Sequence, residues 1–121
     1  MRINLFGAGY VGLVTAACLA EHGNQVLCID IDQEKVKRLK QGECPIHELD
    51  LPALLQKNLA AGRLHFSTYS QQGVEHGFYQ FITVGTPQDK DGSADLTYAL
   101  DVARYIGKTL TEPKLIINKS T

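Results

Sequence analysis

Gly7-Ala8-Gly9-Tyr10-Val11-Gly12 stands directly after the apolar run Ile3 to Phe6. Three glycines at this spacing narrow the choices sharply: a strand, a tight turn, and a helix that begins close against both. Gly7 allows the turn off the strand. Gly9, with no Cβ, lets a ligand approach the backbone. Gly12 lets the helix pack near the strand. A helix starting here directs unpaired N–H groups and a partial positive charge at whatever lies before it. A glycine-rich turn in isolation is also compatible with binding nothing.

The residues that follow give the turn a context. Ala16, Ala17, Leu19 and Ala20 continue a helix that stops at Gly23-Asn24. Gln25 to Ile29 reads as a buried parallel strand, and it ends at Asp30. Asp30 lies 18 positions after Gly12, close to the ~20 expected for an acid that accepts hydrogen bonds from an adenosine ribose. Strand, turn, helix, strand and acid in this order predict a dinucleotide site. Its cradle is the Gly7, Gly9, Tyr10, Val11, Gly12 stretch, and its ribose ligand is Asp30. The carboxylate favours NAD and repels the extra phosphate of NADP. Lys35 is close enough to Asp30 in sequence to meet a ribose or phosphate, or else to be a solvated cation. Met1-Arg2 before an apolar stretch resembles a secretory signal, but the glycine spacing and Asp30 explain the same residues better.

Farther along, strands and helices keep alternating. Asp32 is placed to cap a short helix with Val36 and Leu39 inward, ended by Gly42 and Pro45. Leu51, Leu54, Leu55 and Leu59 have helical spacing, with Asp50 placed to cap and Pro52 in the first turn. Residues 63–67 read as a third strand, 70–76 as a brief helix, and 78–84 as a fourth buried strand. The fourth strand runs into Gly85-Thr86-Pro87, where a Thr86 hydroxyl at a strand's carboxyl end could reach a ribose or phosphate. Ser93 or Asp95 is placed to cap a helix with Leu96, Ala99, Leu100, Ala103, Ile106 and Leu110 on one face. Residues 114–118 form a fifth strand. The expected fold is α/β: a Rossmann-type parallel sheet with helices on both faces, order 3-2-1-4-5, stopping after the fifth strand. The crevice falls between the first and fourth strands.

Composition excludes several classes. A chain of 121 residues is one domain, and its formal net charge of −1 with dispersed charges gives no reason to expect nucleic acid or an anionic membrane. No apolar run approaches the ~20 residues of a membrane span. Cys18, Cys28 and Cys44 lack metal-type spacing, and the four histidines are scattered, so no metal site is expected. Cys18 and Cys28 are expected to be small buried hydrophobes, in a reducing, cytoplasmic setting.

The motifs taken together resemble the amino-terminal part of the UDP-glucose 6-dehydrogenases, within the nucleotide-sugar 6-dehydrogenase group. GAGYVGL with LAEHG, Asp30 with Lys35, QGECPI, AAGRLHF, VGTP, DKDGSADLTYA and the closing KST carry the resemblance over essentially the whole chain. The GDP-mannose and UDP-N-acetyl-hexosamine branches are the alternatives, and DGSADL fits the UDP-glucose branch better. A stand-alone dinucleotide-binding regulatory module is the reading from another class.

The resemblance implies oxidation of a sugar C6 alcohol to a carboxylate with two molecules of NAD, through a cysteine-bound thiohemiacetal and thioester. It implies NAD contacts at Val11, Asp30, Lys35, Thr86 and Thr121, and a role for Thr121 in positioning water. It also implies a homo-oligomeric full-length enzyme that takes UDP-glucose. The family's nucleophilic cysteine and sugar-binding domain match nothing in these 121 residues, so the chain is expected to be an incomplete NAD-binding domain without turnover of its own. Two departures stand out: Glu48-Leu49-Asp50-Leu51 where the family usually has Glu-Pro-Gly-Leu, and Phe78 where it commonly has Asp.

Overall fold

The computed structural model describes residues 1–85, 92 and 96–119. Five strands form one parallel sheet: β1 (Arg2–Phe6), β2 (Gln25–Ile29), β3 (Leu64–Ser67), β4 (Tyr79–Ile82) and β5 (Leu115–Asn118). Their order is β3-β2-β1-β4-β5, as the alternation of elements predicts. The helices are α1 (Tyr10–Glu21), α2 (Gln33–Lys40), α3 (Leu51–Ala60), α4 (Ser70–His76) and α5 (Thr97–Thr109).

The strands are apolar on both sides because both sides are covered. Ile3, Leu5, Val26, Cys28, Leu64 and Phe66 join one core with α1, α2 and α3. Their neighbours in sequence, Phe6, Leu27 and Ile29, join Ile82 in a second core with Val74 of α4 and Ala99 and Ile106 of α5. The period of two along a strand sends alternate side chains to opposite layers. Each fully buried Leu or Ile contributes about 1.5–3 kcal/mol.

One polar pair interrupts the second layer. Asn4 and Gln80 are register partners across β1 and β4, and both are fully buried. Asn4 Nδ2 donates to Gln80 Oε1 at 2.9 Å. Gln80 Nε2 donates to the carbonyls of Gly73, Val74 and Gly77 at 3.0–3.2 Å. These carbonyls at the end of α4 have no continuing helix to bond them; the Gln80 amide meets them from the sheet, and Lys114 Nζ also donates to Gly77, at 2.8 Å. Gly73 leaves room for the pair: a Cβ there would lie 2.7 Å from Asn4 Oδ1.

Several local expectations are corrected. Cys18 is exposed, whereas Cys28 is buried. Asp50 is the N-cap residue of α3, but its side chain makes no capping bond and its φ of 70° is left-handed. Leu96 and Leu100 are exposed, and α5 buries Ala99 and Ile106, with Val102 and Ala103 packed at the edge of the same layer. The inward positions 99, 102, 103 and 106 keep helical spacing, but the stripe is rotated from the one anticipated. Ser93 and Asp95 lie outside the described residues; the N-cap residue of α5 is Leu96, with no side-chain capping bond. Asp32 does cap α2, accepting from Lys35 N at 3.1 Å. β4 covers only the middle of the 78–84 run.

Candidate functional site

The chain leaves β1 at Phe6 and β4 at Ile82, and the two diverge because α1 covers one face of the sheet and α4 and α5 the other. This is the topological switch point of a doubly wound sheet, where a crevice opens at the strands' carboxyl ends. A cleft of about 560 Å³ occupies it, bounded by Gly7 and Gly9 on one wall, Asp30, Ile31 and Lys35 on a second, and Thr83, Val84 and Gly85 on a third. Tyr98, Asp101 and Val102 of α5 and Ser70 of α4 also line it.

The three glycines have distinct constraints. Gly7 has φ +112°, and a Cβ there would stand 2.7 Å from the Thr83 carbonyl oxygen. Gly12 is tighter still: a Cβ would lie 1.8 Å from the Gly7 carbonyl oxygen and 2.9 Å from Thr83 Oγ1. The helix therefore packs on the turn's own carbonyl and on the end of β4, more closely than on the strand it follows. Gly9 differs. It is the N-cap residue of α1 with extended backbone, φ −82°, and a Cβ there would meet no protein atom within 4 Å. Its missing side chain leaves space on the cleft side, not inside the protein.

Asp30 ends β2 with its carboxylate turned into the cleft. Oδ2 accepts from Ala8 N at 2.9 Å, and Oδ1 accepts from Asp32 N at 2.9 Å. Lys35 Nζ stands 3.7 Å from Oδ2, with 13% of the Asp30 side chain and 33% of the Lys35 side chain exposed. The acid is thus held by two backbone donors and a cation, while its accessible edge faces the lined space.

Of the residues anticipated from the sequence, Gly7, Gly9, Asp30 and Lys35 come together in one cleft. Tyr10, Val11 and Gly12 form the first turn of α1 beside it; Tyr10 is exposed and Gly12 buried. Thr86 and Thr121 lie outside the described residues. Thr83, Ser70, Tyr98 and Asp101 line the cleft without having been anticipated. Thr83 had a signal, a hydroxyl residue just after β4 and two positions before Gly85. Tyr98 and Asp101 had none, because their contribution depends on where α5 lies across the sheet.

The whole chain, residues 1–121, matches the family described as the UDP-glucose/GDP-mannose dehydrogenase family, NAD binding domain. The chain belongs to that family. The domain is 50% identical to a UDP-glucose 6-dehydrogenase of Pseudomonas aeruginosa over 121 residues, all of this chain and 27% of that protein. A solved ternary complex of the GDP-mannose dehydrogenase of Pseudomonas aeruginosa superposes with a TM-score of 0.94 at 40% identity, covering 100% of this chain and 28% of that one. The UDP-glucose dehydrogenase of the archaeon Pyrobaculum islandicum superposes with a TM-score of 0.93 at 37% identity, covering 100% and 29%. The domain therefore spans about 27% of the length of the first of these relatives. Its cofactor is the family's NAD. Among the described residues, no helix is long and apolar enough to cross a membrane, and no cluster of three or more His, Cys, Asp or Glu could hold a metal.

Proposed function

We propose that this chain is the NAD-binding part of a UDP-glucose 6-dehydrogenase, and that Gly7, Gly9, Tyr10, Val11, Gly12, Asp30 and Lys35 hold the cofactor. The observation that carries this reading is the pairing of open space at Gly9 with a cleft-facing Asp30 at the switch point. A missing Cβ that no protein atom fills suits the close approach of a pyrophosphate. Backbone N–H groups of the first turn of α1, without intrahelical partners, face that anion. Asp30 retains lone pairs beyond those taken by Ala8 and Asp32, and these accept from ribose hydroxyls. Its charge disfavours a 2′-phosphate. Lys35 steadies the carboxylate and lies within reach of the same ribose. Thr86 is assigned a contact by its place after the fourth apolar run and by resemblance, and Thr121 by resemblance.

NAD, when bound, supplies a hydride acceptor for oxidation of the sugar C6 alcohol. The residues of this chain bind and orient it and perform no bond-breaking step. The UDP-glucose assignment follows the 50% identical relative. GDP-mannose is the second reading, favoured by the ternary-complex structure at TM-score 0.94. Unpaired cysteines at 18, 28 and 44 suit a reducing compartment such as the cytoplasm.

Calorimetric titration with NAD and with NADP tests the reading. NAD is expected to bind, with NADP weaker by at least about tenfold. Equal affinities would remove the role given to Asp30, and absence of NAD binding would remove the site. Incubation of the purified chain with NAD and either UDP-glucose or GDP-mannose is expected to yield no NADH.

A further inference from the structure

Thr83 follows β4 and is 4% exposed. Its backbone N–H donates to the Phe6 carbonyl at 2.9 Å, extending the β1–β4 ladder. The side-chain hydroxyl lies 2.8 Å from the Gly7 carbonyl oxygen and 3.1 Å from that of Phe6. The Phe6 oxygen already has the Thr83 N–H, so the hydroxyl proton goes to the nearer oxygen of Gly7. Cys28 Sγ also points at the Gly7 oxygen, at 3.7 Å. Burial pushes the Cys28 thiol up, so it keeps its proton, but an S–H is a weak donor. Gly12 closes another side of the same oxygen, as the 1.8 Å approach of a hypothetical Cβ shows.

The other end of that peptide is fixed too. The Gly7 carbonyl and the Ala8 N–H belong to one planar unit, and the Ala8 N–H donates to Asp30 Oδ2 at 2.9 Å. A donor from β4 and an acceptor from β2 therefore grip one peptide of the turn after β1 from opposite edges. Fixing both ends of a planar group fixes its rotation, and Gly9 and the first turn of α1 follow directly from it.

We propose that Thr83 is a positioning residue for pyrophosphate binding. Its hydroxyl locks the Gly7–Ala8 peptide, and that peptide sets the direction of the N–H groups at the start of α1. The proposal rests on the reading of the cleft as an NAD site and deepens it: the phosphate cradle is held in shape by a strand distant in sequence.

The test compares Thr83→Val, which keeps the shape and loses the hydroxyl, with Thr83→Ser, which keeps the hydroxyl. Two quantities are read: NAD affinity by calorimetry, and hydrogen exchange of the Ala8 amide by ¹⁵N NMR in the ligand-free chain. The Val variant is expected to bind NAD roughly tenfold more weakly and to exchange the Ala8 amide faster. The Ser variant is expected to restore both. Wild-type affinity in the Val variant, or failure of Ser to restore it, overturns the proposal while leaving the NAD reading intact. If the wild-type chain does not bind NAD, that reading fails, and unchanged Ala8 exchange in the Val variant overturns the clamp separately. Should Thr83→Val not fold, Thr83→Ala takes its place with the same expectations. Should neither fold, loss of affinity or of Ala8 protection in Thr83→Ser decides against it.

Discussion

The backbone N–H of Ala8 donates to the Asp30 carboxylate at 2.9 Å, across 22 residues of sequence. The acid proposed to recognise the ribose is therefore also a structural part of the glycine turn proposed to hold the phosphates. Substituting it changes two things at once, the contact to ligand and the orientation of a peptide in the cradle.

Asp30→Asn separates these in part, because an amide oxygen can still accept from Ala8 while the charge is gone. NAD affinity is expected to fall about tenfold, or about 1.4 kcal/mol, and the preference over NADP to shrink. Asp30→Ala is expected to bind more weakly still and to melt at lower temperature. Paired calorimetry and thermal unfolding on both variants check the ordering Asp, Asn, Ala.

The glycines divide by what fills the space around them. Gly12→Ala places a Cβ 1.8 Å from a carbonyl oxygen and is expected to cost about 3 kcal/mol or more, seen as a lower midpoint in urea. Gly9→Ala meets no protein atom within 4 Å. Its stability is expected to stay within about 0.5 kcal/mol of wild type, while NAD binding falls steeply. A Gly9→Ala chain that binds NAD normally would remove Gly9 from the cradle.

Asp50 sits in left-handed backbone at φ 70° without a capping bond, at the position where the related Glu-Pro-Gly-Leu pattern has glycine. A non-glycine residue in this region is strained, while glycine gives part of the gain back as unfolded-chain entropy. Asp50→Gly is expected to stabilise the chain by about 0.5–1 kcal/mol. A thermal melt that shows no increase would contradict this.

His76 Nε2 donates to the Gln25 carbonyl at 3.0 Å, and its Nδ1 accepts from Arg2 at 3.3 Å. Burial holds the imidazole below its ordinary value of 6.5; the Gln25 carbonyl opposes this, and the nearby Arg2, His65 and Lys114 charges add to it. The unfolded chain thus takes up a proton before the folded one. The contribution is fully present above the usual histidine value and is lost as pH falls from there through the lowered folded value. Melting temperature is expected to drop over that window in the wild type, and less in His76→Gln.

Gln80 joins β1, β4 and the end of α4: its Oε1 accepts from Asn4, and the two hydrogens of its Nε2 are shared among the carbonyls of Gly73, Val74 and Gly77. Gln80→Leu keeps the volume but removes the partner of Asn4 Nδ2 and of the Gly73 and Val74 carbonyls, while the Gly77 carbonyl keeps Lys114 Nζ at 2.8 Å. It is expected to cost roughly 3 kcal/mol, measured by chemical denaturation. A near-neutral result would mean that water reaches those carbonyls.

Much of the fold and part of the site could be read from local patterns. The glycine spacing announces the turn, Asp30 closes the second apolar run, and alternation of short apolar runs with helical stretches leaves few topologies besides the doubly wound sheet. Even α4, seven residues long, is visible at its bounds of Ser70–His76. Two of the errors share a cause. Cys18 and Leu100 are apolar at positions that periodicity alone cannot place inward or outward, because a helix's contact stripe depends on how it is rotated against the sheet.

Local patterns were enough for the order of the elements, the position of the turn and the acid that faces it, because glycine freedom and strand alternation act over a few residues. Tertiary structure alone decided that Thr83 reaches Gly7 across 76 residues, that Asn4 and Gln80 plug the second layer, and that Tyr98 and Asp101 border the cleft. A hydrogen bond of 2.8 Å needs two backbones placed to a fraction of an ångström. Periodicity assigns a residue to a face, and only the packed sheet assigns it a partner.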